Sequence, residues 1–169
     1  MKQKLFTVLS VLLITMLAVS PVYAGGVRIT FGLGSITADG TAWGFGKDAI
    51  ITLTGEGVPL VTCATPGNNN LAPGQNPPRV RAADSQPATD DWLGKGKFGV
   101  NLEAEPDVTG LSAVELGCPN NNWTANVDFV FWDKATISVI NAKGALQYQQ
   151  NYNCVTTRNP DAISCTPVP

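Results

Sequence analysis

From residue 25 onward, apolar and polar side chains alternate with a period of two rather than 3.6. Val27, Ile29, Phe31 and Leu33 alternate with Arg28, Thr30 and Gly32, which predicts a half-buried strand over 27–37. Asp39-Gly40 supplies a turn signal, with 41–45 pairing back. The β-branched run 49–54 is ended by Gly55-Glu56-Gly57, and a further strand over 58–64 carries Pro59, which suits a strand start or an edge. Residues 65–78 lack periodicity and are rich in Pro, Gly and Asn, so they read as one long surface loop leading into a strand over 79–83. After an irregular stretch, 85–96, alternation returns with Phe98, Val100, Leu102 and Ala104. Residues 111–116 suit a single helical turn.

The strongest pattern lies towards the C-terminus. Over 123–132, Trp123, Ala125, Val127, Phe129 and Phe131 fall on one face, while Val130 and Trp132 make the other face apolar. A strand apolar on both sides is expected at the centre of a sheet. Strands over 135–140 and 145–155 follow, joined by Asn141-Ala142-Lys143-Gly144. Eight or nine short antiparallel strands with regularly spaced turns predict an all-β fold. The expected form is an immunoglobulin-like two-sheet antiparallel sandwich with long irregular loops.

The first 24 residues are patterned differently. Lys2 and Lys4 precede an apolar run over 5–19, and Pro21-Val22-Tyr23-Ala24 closes it with small residues at the positions a signal peptidase reads. The run is shorter than the roughly twenty apolar residues that span a bilayer. The expectation is therefore a signal peptide over 1–24 cleaved after Ala24, one sandwich domain over 25–169, a secreted or cell-surface location, and no membrane span after cleavage. The formal charge is −2, and loss of Lys2 and Lys4 makes the remainder more acidic. Without a basic run, nucleic acid is not an expected partner.

Four cysteines in an oxidising compartment allow three pairings. Cys154 and Cys165 flank a stretch with Asn159-Pro160-Asp161 at its middle, so a hairpin about that turn sets the two cysteines opposite each other. Cys63–Cys118 then follows by elimination.

Histidine is absent, which removes Ser-His-Asp and Cys-His catalysis and most zinc and copper sites. No cofactor is expected. Asp90 and Asp91 beside Trp92 pair carboxylates with an aromatic platform, the arrangement a small hydrolase acting on sugars would need. Glu103, Glu105 and Asp107 recur at every second position, a weak calcium candidate and equally the solvent side of a strand. GKGKFG over 94–99 matches a dinucleotide-loop pattern without the strand and helix that would give it meaning. In 146–154, Leu146, Tyr148, Gln150 and Tyr152 share one face, and Gln147, Gln149, Asn151 and Asn153 the other. Tyr148, Tyr152 and the turn-borne Trp43 and Trp92 are the aromatic candidates for ligand binding, whereas Trp123 and Trp132 are expected in the core. Asn122-Trp123-Thr124 is a glycosylation sequon at Asn122.

The segments VTCATPG, APGQNPP, CPNNNWTA, FWDKATISV and LQYQQNYNC together resemble those of a group of small exported bacterial proteins of unknown function. The resemblance covers most of 25–169 and implies export and a β-rich domain, with no activity attached. The expected function is a non-catalytic secreted module that acts structurally or by interaction. Its partner is another protein, a second copy of itself through the edge at 25–37 or the face around Gln149, or a surface glycan. Glycan binding through exposed aromatic and amide side chains, and a small carboxylate-based hydrolase, are the alternatives.

Overall fold

The computed structural model describes residues 25–46, 48–67, 70–88 and 97–169. Ten strands run in the order β1 (Gly26–Gly32), β2 (Ile36–Trp43), β3 (Ile50–Ala64), β4 (Leu71–Pro73), β5 (Val80–Pro87), β6 (Lys97–Ala104), β7 (Pro106–Asp107), β8 (Thr124–Ile140), β9 (Leu146–Thr157) and β10 (Ala162–Pro167). All pairings are antiparallel. A small sheet has the order β1-β2-β6, and a large one the order β10-β9-β8-β3-β5-β7, with β4 also on β3. The two pack face to face as a sandwich, the architecture expected from the period-two pattern.

The main core lies between them. The small sheet contributes Ile36, Ala38 and Ala42 from β2 and Phe98, Val100, Leu102 and Ala104 from β6. Facing them are Ile51 and Leu53 of β3, Val80 and Ala82 of β5, and Val130, Trp132, Ile137 and Val139 of β8. β8 lies between β3 and β9, so the strand that reads as central is central.

Several boundaries differ from the sequence reading. Asp39-Gly40 does not turn: Thr30 pairs with Asp39 and Ile29 with Gly40 inside the β1–β2 ladder, and the chain reverses over 33–35 instead. Glycine is needed at 40 because a Cβ there would sit 1.9 Å from the Arg28 carbonyl oxygen. Gly55-Glu56-Gly57 does not end a strand either. β3 runs through it, and a register shift opposite β8 between Glu56 and Gly57 absorbs the irregularity. Pro59 lies beyond the last β5 partner of β3, which is Gly57, so its missing N–H breaks no ladder on that side. The 65–78 loop yields the short β4, β5 runs on to Pro87, and the two segments expected at 123–132 and 135–140 form one strand, β8.

A smaller cluster, Val61, Cys63, Leu116 and Cys118, closes one end, with Trp123 partly buried against it rather than in the main core. The helical turn expected at 111–116 is there. Its N-terminus is a capping box in which Ser112 Oγ accepts the Glu115 N–H and the Glu115 carboxylate accepts the Ser112 N–H at 2.7 Å. At its other end Cys118 N–H reaches Ala113 O and Gly117 N–H reaches Val114 O, with Gly117 at φ 92°. This turn delivers Cys118 to β3. Both expected disulfides are formed, Cys63–Cys118 and Cys154–Cys165, and in the latter hairpin Val155 faces Ser164 and Thr156 faces Ile163.

Candidate functional site

The outer face of the large sheet gathers the side chains best placed for recognition. Hydrogen-bonded strands stand about 4.8 Å apart, so the β-ladder sets its residues in rows. One row runs Ser85, Thr52, Ser138, Gln149, and the next Ala83, Thr54, Thr136, Asn151. Neighbours within the rows are already joined: Thr52 Oγ1 and Ser85 Oγ lie 2.9 Å apart, and Thr136 Oγ1 donates to Asn151 Oδ1 at 2.9 Å. The result is a field of hydroxyl and amide groups without formal charge. The amide-rich face expected on β9 belongs to it, since Gln147, Gln149, Asn151 and Asn153 are all exposed.

A charged band borders the field. Arg79 Nε donates to Glu56 Oε1 at 2.7 Å, and Arg79 Nη2 donates to Asp133. The Arg79 hydrogen bond holds the Glu56 carboxyl below its ordinary value, and the two carboxylates hold the guanidinium firmly protonated. A shallow hollow of about 330 Å³ opens here, bordered by Thr54, Glu56, Arg81, Lys134 and Thr136.

Beyond the band lies an apolar patch formed by Val58, Leu60, Phe129 and Phe131, paired Val58 with Phe131 and Leu60 with Phe129 across β3 and β8. The two phenylalanine rings meet edge to face at 5.1 Å, and the Arg158 guanidinium lies 6.0 Å above Phe129. Val58 and Phe131 are 38% and 37% exposed, far from the burial a core strand would give them. The sequence reading sets Phe129 and Phe131 on the same face as Val127, and the structure corrects this. The register shift between Leu60 and Val61 inserts Asp128, so Val127 faces inward opposite Val61 while Phe129 faces outward opposite Leu60. Asp128 is held in the bulge as the acceptor of the Thr62 hydroxyl. The available signal was the switch of the even-numbered positions of β8 from polar (Thr124, Asn126, Asp128) to apolar (Val130, Trp132).

The residues singled out from the sequence are scattered. Asp90, Asp91 and Trp92 lie outside the described residues, and so does much of GKGKFG, so the hydrolase arrangement has no geometry here. Trp43 is partly buried with its ring over Gly26, where a Cβ would come within 2.3 Å of the indole. Tyr152 is not a surface residue. It is 8% exposed and meets Phe31 edge to face at 5.0 Å, because the even-numbered side of β9 faces the core. Tyr148 is half-buried against Phe45, with centroids 5.9 Å apart.

Glu103, Glu105 and Asp107 do not converge. Glu103 lies in β6 of the small sheet, Glu105 between the strands, and Asp107 in β7 of the large sheet. Asp107 accepts the Thr109 N–H at 2.9 Å, which lowers its pKa. No group of three or more His, Cys, Asp or Glu among the described residues could hold a metal ion. Asn122 is exposed in the turn before β8.

No family model, curated protein or solved structure matches this chain. Among the described residues no helix is long and apolar enough to cross a membrane.

Proposed function

We propose that this chain is an exported, non-catalytic sandwich module that works by interaction at or outside the cell surface, through the outer face of its large sheet. The observation that carries the reading is the Phe129–Phe131 pair, held outward by a bulge on the same sheet face as the hydroxyl and amide field and separated from it by the charged band. Apolar side chains turned out of a strand whose neighbours fill the core serve contact with something else better than folding. The two disulfides fit an oxidising compartment, and the signal-like 1–24 segment points to the same address.

The strand order supports an immunoglobulin-like assignment. Setting aside the short β4, β7 and β10 leaves β1, β2 and β6 against β9, β8, β3 and β5. Numbered consecutively, these seven run 1-2-5 against 7-6-3-4. The order departs from a constant domain only in placing the fourth strand beside the third instead of the fifth. A shared sandwich architecture does not fix function, so the reading rests on the outer face of the large sheet and not on the strand order.

A neutral surface glycan is the second reading, favoured by the uncharged field of Thr52, Thr54, Thr136, Gln149 and Asn151, with the exposed Phe131 ring on the same sheet face beyond the charged band. One experiment tests both: retention on washed cells of the source organism and on polysaccharide isolated from their envelope, for the unaltered protein and for Phe131→Ala and Gln149→Ala. Retention on both materials with about tenfold weaker binding by the variants is the outcome expected of a glycan ligand. Retention on cells alone assigns a protein partner. Equal retention of all three proteins removes this face from the function, and no retention on cells removes the surface module altogether.

A further inference from the structure

The small sheet leaves its two edges in different conditions. At β6 the outer backbone is occupied by side chains from β5: Gln86 donates its Nε2 to Gly99 O at 3.0 Å and accepts the Asn101 N–H at 2.9 Å, and Asp84 accepts the Glu103 N–H at 2.9 Å. Side chains that satisfy an edge in this way block another strand from adding to it.

β1, the opposite edge, has no such cover among the described residues. It is seven residues long, contains no proline, and carries one charge, Arg28. Its inward side chains Val27, Ile29 and Phe31 stay half-buried, while Ile36, Ala38 and Ala42 on the neighbouring β2 are fully buried. They line a groove of about 500 Å³ whose far wall is Tyr152, Ile163 and Pro167.

We propose that β1 is the edge through which two copies of this chain pair, antiparallel, about a two-fold axis at Ile29. This deepens the interaction-module reading by naming a partner, and it rests on that reading for its setting. The argument for a second copy is the symmetry of the strand's own pattern. Gly26-Val27-Arg28-Ile29-Thr30-Phe31-Gly32 reads glycine, apolar, polar, Ile29, polar, apolar, glycine from either end. An isologous contact requires this self-complementarity.

With the axis at Ile29, every residue of β1 is paired. Val27 of each copy meets Phe31 of the other, extending the apolar layer across the groove mouth, and Arg28 of each meets Thr30 of the other. Moving the axis one residue to Arg28 sets two guanidinium groups face to face, which is unfavourable. Placing the axis between residues opposes inward to outward side chains and buries nothing. Moving it the other way, to Thr30, leaves Gly26 and Val27 without partners in β1, so the Ile29 register is the one that pairs all seven residues without opposing like charges.

The test is light scattering and sedimentation of the purified oxidised protein over a concentration series, with Thr30→Arg and Thr30→Glu. Both Arg28 and Thr30 are exposed, so neither change touches the core. Thr30→Arg sets like charges across the axis twice and is expected to weaken the dimer about tenfold. Thr30→Glu sets opposite charges there and is expected to tighten it about tenfold. Thr30 also faces Asp39 within its own chain. The melting temperature of the monomer should therefore move the opposite way, up for Thr30→Arg and down for Thr30→Glu, which separates pairing from folding. Slowed amide exchange over Gly26–Gly32 at high concentration is expected as well.

A protein that stays monomeric up to about 1 mM overturns the proposal, as does a dimer that the two variants shift in the same direction or not at all. A monomer that is still retained on cells overturns the pairing and leaves the interaction module standing.

Discussion

Tyr152 carries a phenol into the space between the sheets, where its ring meets Phe31 edge to face and only 8% of the residue is exposed. Loss of hydration pushes its pKa up to about 12 from an ordinary value of 10.0. A phenol that ionises later in the folded chain than in the unfolded one contributes stability that is complete below pH 10 and is lost as the pH rises towards 12. Urea midpoints measured between pH 9 and 12 should therefore fall more steeply for the unaltered protein than for Tyr152→Phe, by no more than about 2 kcal/mol at the upper end. Parallel curves would show that the ring is better solvated than its burial implies. That Tyr152 shares a face with Tyr148 and Gln150 was open to sequence reading because β9 alternates without interruption from Tyr148 onward, the one inserted residue, Gln147, lying before it. What could not be read was which of its two faces met the core, since Tyr148 and Tyr152 look as suited to a binding face as the amides opposite them.

Along β8 the facing of side chains changes twice. Ala125 and Val127 lie opposite Cys63 and Val61 on the inward side, then Val130 and Trp132 point inward, then Ala135, Ile137 and Val139. Each change of parity coincides with a register shift and an aspartate: Asp128 held by the Thr62 hydroxyl, Asp133 held by Arg79. Strict alternation is legible from sequence for exactly as long as no residue is inserted, which is why β6 is readable end to end and the outward turn of Phe129 and Phe131 is not. The same physics makes deletions informative. Removing Asp128 deletes the inserted residue and leaves every neighbour facing as before, so the expected loss is about 1–2 kcal/mol, the scale of one polar contact. Removing Thr136 turns Ile137 and Val139, both fully buried, out to solvent and brings Ser138 inward. Thermal melts should show a folded Asp128 deletion and no cooperative transition for the Thr136 deletion. Two equally folded proteins would mean that β8 can slip its register.

Across the whole molecule, the two disulfides do different work. Cys154–Cys165 spans 11 residues and joins strands already paired residue by residue from Ala162 to Pro167. Its position is legible because the hairpin geometry is local. Cys63–Cys118 spans 55 residues and ties the capped turn at 112–118 to β3, anchoring the smaller cluster of Val61 and Leu116. That pairing follows from sequence by elimination alone, because contacts between distant segments leave no local pattern. Loop-closure entropy puts the contribution of the long bridge at about 4 kcal/mol and that of the short one at about 3. The short bridge acts on a hairpin that the β9–β10 ladder already favours, so its measured value should fall below the entropic figure, while the long one has no such substitute. Cys63→Ala/Cys118→Ala should therefore lower the urea midpoint more than Cys154→Ala/Cys165→Ala, and should selectively speed amide exchange around Leu116. Equal losses, or exchange that quickens at β10 in the Cys63→Ala/Cys118→Ala protein, would place the ends of this sandwich in one cooperative unit, with the capped turn held by its own hydrogen bonds and the bridge secondary to them.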